Sequence, residues 1–115
     1  MQAYSIIIRP EAKKDLREIW FYIAVRDLPG KADAFYNLLK EKCHNLSFIP
    51  QRGRCVPEFK NLGIFDVYEV FCKSYRIIYK ILNSTVVIYG IFDGRRELRE
   101  VLFNRVSGRS VFEFS

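Results

Sequence analysis

The chain is poor in the residues that bind metals or form covalent cross-links. Its 115 residues include three cysteines and a single histidine, His44. Cys43, Cys55 and Cys72 are odd in number and follow no ligand spacing. They are expected to be reduced, mostly buried thiols, and neither a metal nor a cofactor is implied. Long apolar runs are missing too. None reaches the ~18 consecutive residues that a membrane span requires, so no membrane partner is expected. The opening MQAYSIIIRPEAKK has an apolar run too short for a signal peptide and no small-residue cleavage site behind it. A cytoplasmic protein is therefore expected. Internal repeats, low-complexity segments and long linkers are also lacking. At this length that predicts a single domain over residues 1–115.

Apolar side chains, by contrast, are abundant. Half of the residues are hydrophobic and 16% are aromatic, ample for a packed core. The net charge of +6 suggests an acidic partner, either nucleic acid or a protein segment rich in Asp and Glu. The excess is uneven: residues 1–48 hold eight Lys/Arg against six Asp/Glu, and residues 49–115 hold eleven against seven. Arg95, Arg96, Arg99, Arg105 and Arg109 account for most of it.

Along the chain, residues 4–9 form a short apolar run that reads as a strand. Pro10 is well placed to open a helix. That helix should extend to about residue 26, with Ala12, Leu16, Ile19, Trp20, Ile23 and Ala24 on one face. Leu28-Pro29-Gly30 is a breaker. A second helix is expected over residues 31–46, buried along Ala32, Phe35, Leu39, Cys43 and Leu46. So short a connection makes the two helices an antiparallel hairpin. His44 sits beside the apolar stripe and reads as a partly exposed helical residue. Residues 51–65 read as a loop or irregular edge strand. There Arg52 and Arg54 flank Gly53, suiting either a phosphate or carboxylate contact or a solvated turn.

Three β-branched and aromatic runs follow, at residues 66–72, 75–82 and 85–92. Two-residue gaps, Lys73-Ser74 and Asn83-Ser84, leave room only for tight hairpins. Alternation sends Tyr75, Ile77, Tyr79 and Ile81 to one face, under the helices. Arg76, Ile78 and Lys80 go to the other face, which is expected to stay open to a partner. Residues 95–104 read as a short helix. The tail from residue 106 has no helical period; a short strand, surface packing and disorder all remain open for Val111, Phe112 and Phe114. The predicted fold is α+β in two layers: an N-terminal strand, an antiparallel helical hairpin, a three-stranded antiparallel meander and a short C-terminal helix. Ile6, Ile8, Leu16, Trp20, Phe35, Leu39, Ile77 and Tyr79 are its expected core.

Several short motifs occur in a recognisable order. They are Ile8-Arg9-Pro10-Glu11-Ala12 with Asp15-Leu16 and Ile19, then Pro50 with Arg52-Gly53-Arg54, Pro57-Glu58 and Leu62-Gly63-Ile64. Tyr75-Arg76-Ile77-Ile78-Tyr79 and Ile91-Phe92-Asp93-Gly94-Arg95-Arg96 complete the set. In this the chain resembles the RelE/ParE superfamily of type II toxins over about residues 4–104. The resemblance implies the same fold, and a toxin silenced by a co-encoded acidic antitoxin, ParD-like or similar, that wraps it as helix and strand.

RelE-like members cleave mRNA in the ribosomal A site with paired lysines, two arginines and a tyrosine. Arg76 and Arg96 match the arginines, but the lysine positions align near Tyr68 and Val70 and the tyrosine position with Leu102. RNA cleavage needs groups that take and give a proton, and arginine stays protonated. Lys73, Lys80 and Tyr89 are conceivable substitutes, although turn charge, solvated strand charge and sheet aromatic are the simpler readings. ParE-like members have no nuclease site and poison DNA gyrase. The longer hairpin and missing lysines place the chain nearer this branch, a plasmid stabilisation toxin. Its target- or antitoxin-binding residues would be Arg76, Arg95, Arg96, Arg99 and Arg105, and no catalytic residue is implied. The alternatives are a ribosome-dependent endoribonuclease using Arg76 and Arg96, with ribosome and mRNA as partners, or a degenerate member that only binds antitoxin. Each arginine also has a plainer role: Arg76 pairing with Glu69, Arg95 with Glu97, Arg99 with Glu100.

Overall fold

Prolines set the starts of the helices, because proline's fixed φ suits the first turn and its missing N–H goes unneeded there. The computed structural model describes residues 3–107. It runs β1 (Ser5–Ile8), α1 (Pro10–Arg26) and α2 (Pro29–Asn45), then a 3-10 turn at Pro50–Arg52. β2 (Arg54–Cys55), α3 (Pro57–Lys60), β3 (Tyr68–Cys72), β4 (Tyr75–Leu82), β5 (Thr85–Asp93) and α4 (Arg99–Ser107) follow. Pro10, Pro29 and Pro57 each open a helix. Pro29 therefore starts α2 rather than merely breaking α1, two residues earlier than the sequence suggests. The segment expected to be a loop or irregular edge strand supplies the short edge strand β2 and, unexpectedly, the helix α3. The residues from 108 onward, with Val111, Phe112 and Phe114, lie outside the described residues.

The strands form one sheet in the order β1-β5-β4-β3-β2. β1 runs parallel to β5, pairing Ser5 with Thr85 through Ile8 with Ile88, and the other neighbours are antiparallel. The hairpin turns occupy the expected residue pairs, with Lys73 and Asn83 at φ of 57° and 56°. Asparagine tolerates that conformation better than lysine does. Between β4 and β5 the register steps from Ile78↔Gly90 to Tyr79↔Ile88, leaving Tyr89 as the extra residue of a bulge.

The hairpin of α1 and α2 covers one face of the sheet. Leu16, Ile19, Leu39, Cys43, Ile77, Tyr79 and Ile88 are buried there, with Ile6, Ile8 and Phe35 packed at the margin. Trp20 is only partly buried and donates from Nε1 to Asp33 Oδ1 across the hairpin at 2.7 Å. The second face is not left open. Val56, Phe59, Val67, Ile78, Phe92, Leu98 and Leu102 form a second core beneath α3 and α4. The reason lies beyond β4: Phe92 on β5 and Val67, just ahead of β3, add to Ile78 an apolar area that is stabilised only when covered. Lys80 remains near the margin, 3.2 Å from Asp66.

Candidate functional site

Arg76 leaves the middle strand toward the second face and meets two carboxylates. Its Nε donates to Glu69 Oε1 at 2.6 Å, and its Nη1 and Nη2 donate to Glu58 Oε2 and Oε1 at 2.8 and 2.7 Å. Glu69 lies across the hairpin on β3, as the strand register allows, and Glu58 comes from the first turn of α3. Glu69 also accepts from Arg54 Nε at 2.7 Å, so one fully buried carboxylate holds two arginines. Arg76 keeps only 7% of its side chain exposed. Its hydrogen bonds hold the Glu58 carboxyl below the usual range against the opposing effect of burial. The same bonds to Glu58 raise the Arg76 guanidinium's affinity for its proton. Arg76 is therefore an internal tie between sheet and α3, not part of an exposed basic surface.

Arg105 is also engaged. Its Nη1 and Nη2 reach Asp15 Oδ2 and Oδ1 on α1 at 2.6 and 3.1 Å, and Nη1 donates to the Tyr89 carbonyl at 3.3 Å. Asp15 Oδ2 accepts in addition from the Ile91 N–H at 2.9 Å. The guanidinium lies over the Phe92 ring, 4.5 Å from its centroid. Gly90 makes this approach possible, since a Cβ there would sit 2.8 Å from Arg105 Nη1 and clash with Cε2 and Cζ of the Phe92 ring.

The remaining arginines stand on the connection from β5 into α4, which enters its helix only at Arg99. Arg95 bonds Asp93 through both backbone and guanidinium. The Arg95 side chain holds the Asp93 carboxyl down to about 2. Arg95 remains 84% exposed on its side chain. Arg96 is exposed, and Arg99 lies 3.8 Å from Glu97, which also accepts from the Arg99 backbone N–H. The partners of Arg95 and Arg99 are thus Asp93 and Glu97 rather than Glu97 and Glu100.

Arg95 and Arg96 border a cleft of about 350 Å³ between α1 and the adjoining ends of β4 and β5. Tyr22, Ser74, Tyr75 and Asp93 share its lining, and burial pushes the Tyr75 phenol up. Of the five arginines singled out in the sequence, the fold gathers Arg95, Arg96 and Arg99 on an exposed connection and turns Arg76 and Arg105 inward. Glu58 and Asp15 were not singled out as their partners. The only signal for Asp15 was its position in an early helical turn, which the helix dipole explains equally well, and Glu58 lay in a segment read as a loop or edge strand.

The positions aligned with nuclease groups are structural. Tyr68 stacks on Tyr79 with ring centroids 5.8 Å apart, Val70 packs at the margin of the first core and Leu102 is fully buried in the second. Tyr89 lies under Arg9 at 5.6 Å. Among the described residues no cluster of His, Cys, Asp or Glu is arranged to hold a metal, and no helix is long and apolar enough to cross a membrane. Burial raises the Cys43 thiol to about 12, and Cys72 is raised for the same reason.

Solved structures share this fold. A toxin–antitoxin chain of the chromosomal ParDE system of P. aeruginosa is 17% identical with a TM-score of 0.67, covering 79% of this chain and 96% of its own. A chain of the toxin–antitoxin complex RelBE2 of Mycobacterium tuberculosis is 23% identical with a TM-score of 0.57, over 81% and 93%. A free-state mutant of the E. coli toxin RelE is 19% identical with a TM-score of 0.62, over 92% and 97%. No curated protein sequence matches the chain. The family description of the ParE toxin of type II toxin–antitoxin systems, parDE, matches residues 6–98. With that match spanning most of its length and the fold agreeing, the chain belongs to the ParE toxin family of the RelE/ParE superfamily.

Proposed function

We propose that this toxin inhibits growth by binding a protein target, DNA gyrase, and is neutralised by an acidic cognate antitoxin. One observation carries the reading. Arg76, the strand arginine that a RelE-like nuclease would aim at phosphate, spends its guanidinium on Glu58 and Glu69. A cation so paired offers little to a developing phosphorane, because its hydrogen-bond donors are already directed elsewhere. Tyr68, Val70 and Leu102 supply no proton-transfer pair in its place. Arg95, Arg96 and Arg99 suit a protein surface instead: Arg95 and Arg96 border a cleft and Arg99 follows at the exposed start of α4, where acidic residues of a target or antitoxin can reach them. An antitoxin partner is further supported by the ParDE and RelBE2 neighbours, which come from toxin–antitoxin assemblies.

The test pairs two assays on one purified sample. Plasmid supercoiling by gyrase should fall, or cleaved DNA should accumulate, while toeprints on translating ribosomes stay clean. Replacing Arg95, Arg96 and Arg99 together by alanine should weaken gyrase inhibition without lowering the thermal midpoint. New A-site cuts with unimpaired supercoiling would instead assign a ribonuclease working through Arg96.

A further inference from the structure

The outer face of α1 is apolar where a surface helix is ordinarily polar. Phe21, Tyr22 and Val25 are each more than half exposed, although the opposite side of the same helix is buried in the first core. A second exposed apolar surface lies in the other layer of the fold. Leu62, just after α3, and Val101 and Phe103 on α4 line a groove of about 680 Å³. We propose that these two surfaces are complementary, and that the α1 face of one copy of the chain docks into the α4 groove of another.

Charge distinguishes the two surfaces. Around the α1 stripe stand Lys14, Arg17 and Arg26, with the acid Glu18. Glu18 lies 3.8 Å from Lys14, which leaves Arg17 and Arg26 without an ion-pair partner among the described residues. The groove has the opposite sign. Glu97 and Glu100 line it with Arg99, and Arg99 lies 3.8 Å from Glu97, which leaves Glu100 unpaired among the described residues. An α1 face meeting its own copy would carry two unmatched cations on each side, and two facing grooves an unmatched carboxylate on each side. Only the mixed pairing brings unlike charges together, so it is favoured over both alternatives.

The apolar parts match as well. Val25 stands three and four residues beyond Tyr22 and Phe21, so the three side chains form one ridge along the helix. The groove has room for their aromatic rings, and covering ridge and groove together removes apolar area from water on both sides. The two surfaces differ, and they belong to opposite layers, one above the first core and the other above the second. The contact is therefore heterologous and propagates head to tail instead of closing as a two-fold pair. With three apolar side chains on each side it is a small contact, so the association is weak and reversible. It does not depend on which macromolecule the toxin inhibits.

The experiment is sedimentation velocity on the purified full chain over about 5 to 300 μM, the range of a weak contact. The weight-average mass of the native protein should rise with concentration. Val25→Glu sets an acid against the acidic groove, and Leu62→Arg sets a cation against the basic α1 face. Both sites are exposed, so folding should be undisturbed. Each variant alone should raise the concentration needed for association by roughly tenfold. An equimolar mixture should recover association in complexes that contain both chains, because the first variant keeps an intact groove and the second an intact α1 face. A native protein that stays monomeric throughout, association that survives either variant, or a mixture no better than its components would overturn the proposal.

Discussion

Glu69 concentrates much of the polar chemistry on one residue. Its side chain is fully buried and would be costly to ionise alone, yet it accepts from Arg54 and Arg76 at 2.7 and 2.6 Å. Removing one partner from a buried pair leaves the other charge uncompensated, which typically costs about 3–5 kcal/mol. Glu69→Ala should therefore lower the unfolding free energy by about that amount, read from urea denaturation at neutral pH. An effect under about 1 kcal/mol would show that Arg76 re-pairs entirely with Glu58. Tyr79 illustrates the neutral version of the same rule. Burial pushes its phenol up to about 12, and the hydroxyl donates to the Pro50 carbonyl at 2.6 Å while accepting from the Gly53 N–H at 3.1 Å. Gly53 is required there because a Cβ would collide with that hydroxyl.

At the scale of elements, α3 depends on contacts outside itself. Four residues make no stable helix alone, and what holds Pro57–Lys60 is the burial of Phe59 and the Glu58–Arg76 pair. The folded state depresses the Glu58 pKa. Its stabilising effect is therefore complete above the ordinary carboxylate value and is lost as pH falls through the depressed one. The urea midpoint of the native protein should exceed that of Glu58→Gln at pH 7, and the gap should close as the pH drops below about 4.5. A gap that persists unchanged at pH 3 would mean that shape, not charge, is what Glu58 contributes. The elements legible in the sequence were those with a period: α1 from Pro10 to Arg26 and β4 from Tyr75 to Leu82 keep their expected bounds. α3 was not legible, since four residues have no period to read. The cover over Ile78 was missed for a related reason. Its closing side chains, Val56, Phe59, Leu98 and Leu102, are distant in sequence and belong to short or irregular segments. The three exposed arginines were legible as a cluster, but the inward turn of Arg76 and Arg105 depends on Glu58 and Asp15, 18 and 90 residues away.

For the molecule as a whole, β1 joins the sheet beside β5, although the two are the first and last strands of the described chain. Such a distant pairing costs loop-closure entropy, whereas the β3–β4–β5 meander closes through two-residue turns. In folding kinetics, Ile77→Ala should slow refolding, with a total destabilisation of about 2–5 kcal/mol, and Ile6→Ala should act mainly by speeding unfolding. Equal partition of both effects between the two rates would argue against late docking of β1. The strand itself stops early. The Arg9 N–H makes the last of its bonds, to the Ile88 carbonyl at 3.1 Å, and β5 continues for five residues to Asp93 with, among the described residues, no strand on that side. On that uncovered length Asp15 takes the Ile91 N–H and Arg105 takes the Tyr89 carbonyl. Two side chains thus stand in for a missing strand and close a template on which a foreign β-segment could otherwise grow. Asp15→Ala should leave the strand edge unguarded: light scattering on warming should begin at a lower temperature than the loss of near-ultraviolet circular dichroism, in an order that the native protein does not follow. Seen this way, the Asp15–Arg105 pair is a barrier to self-assembly as much as a brace.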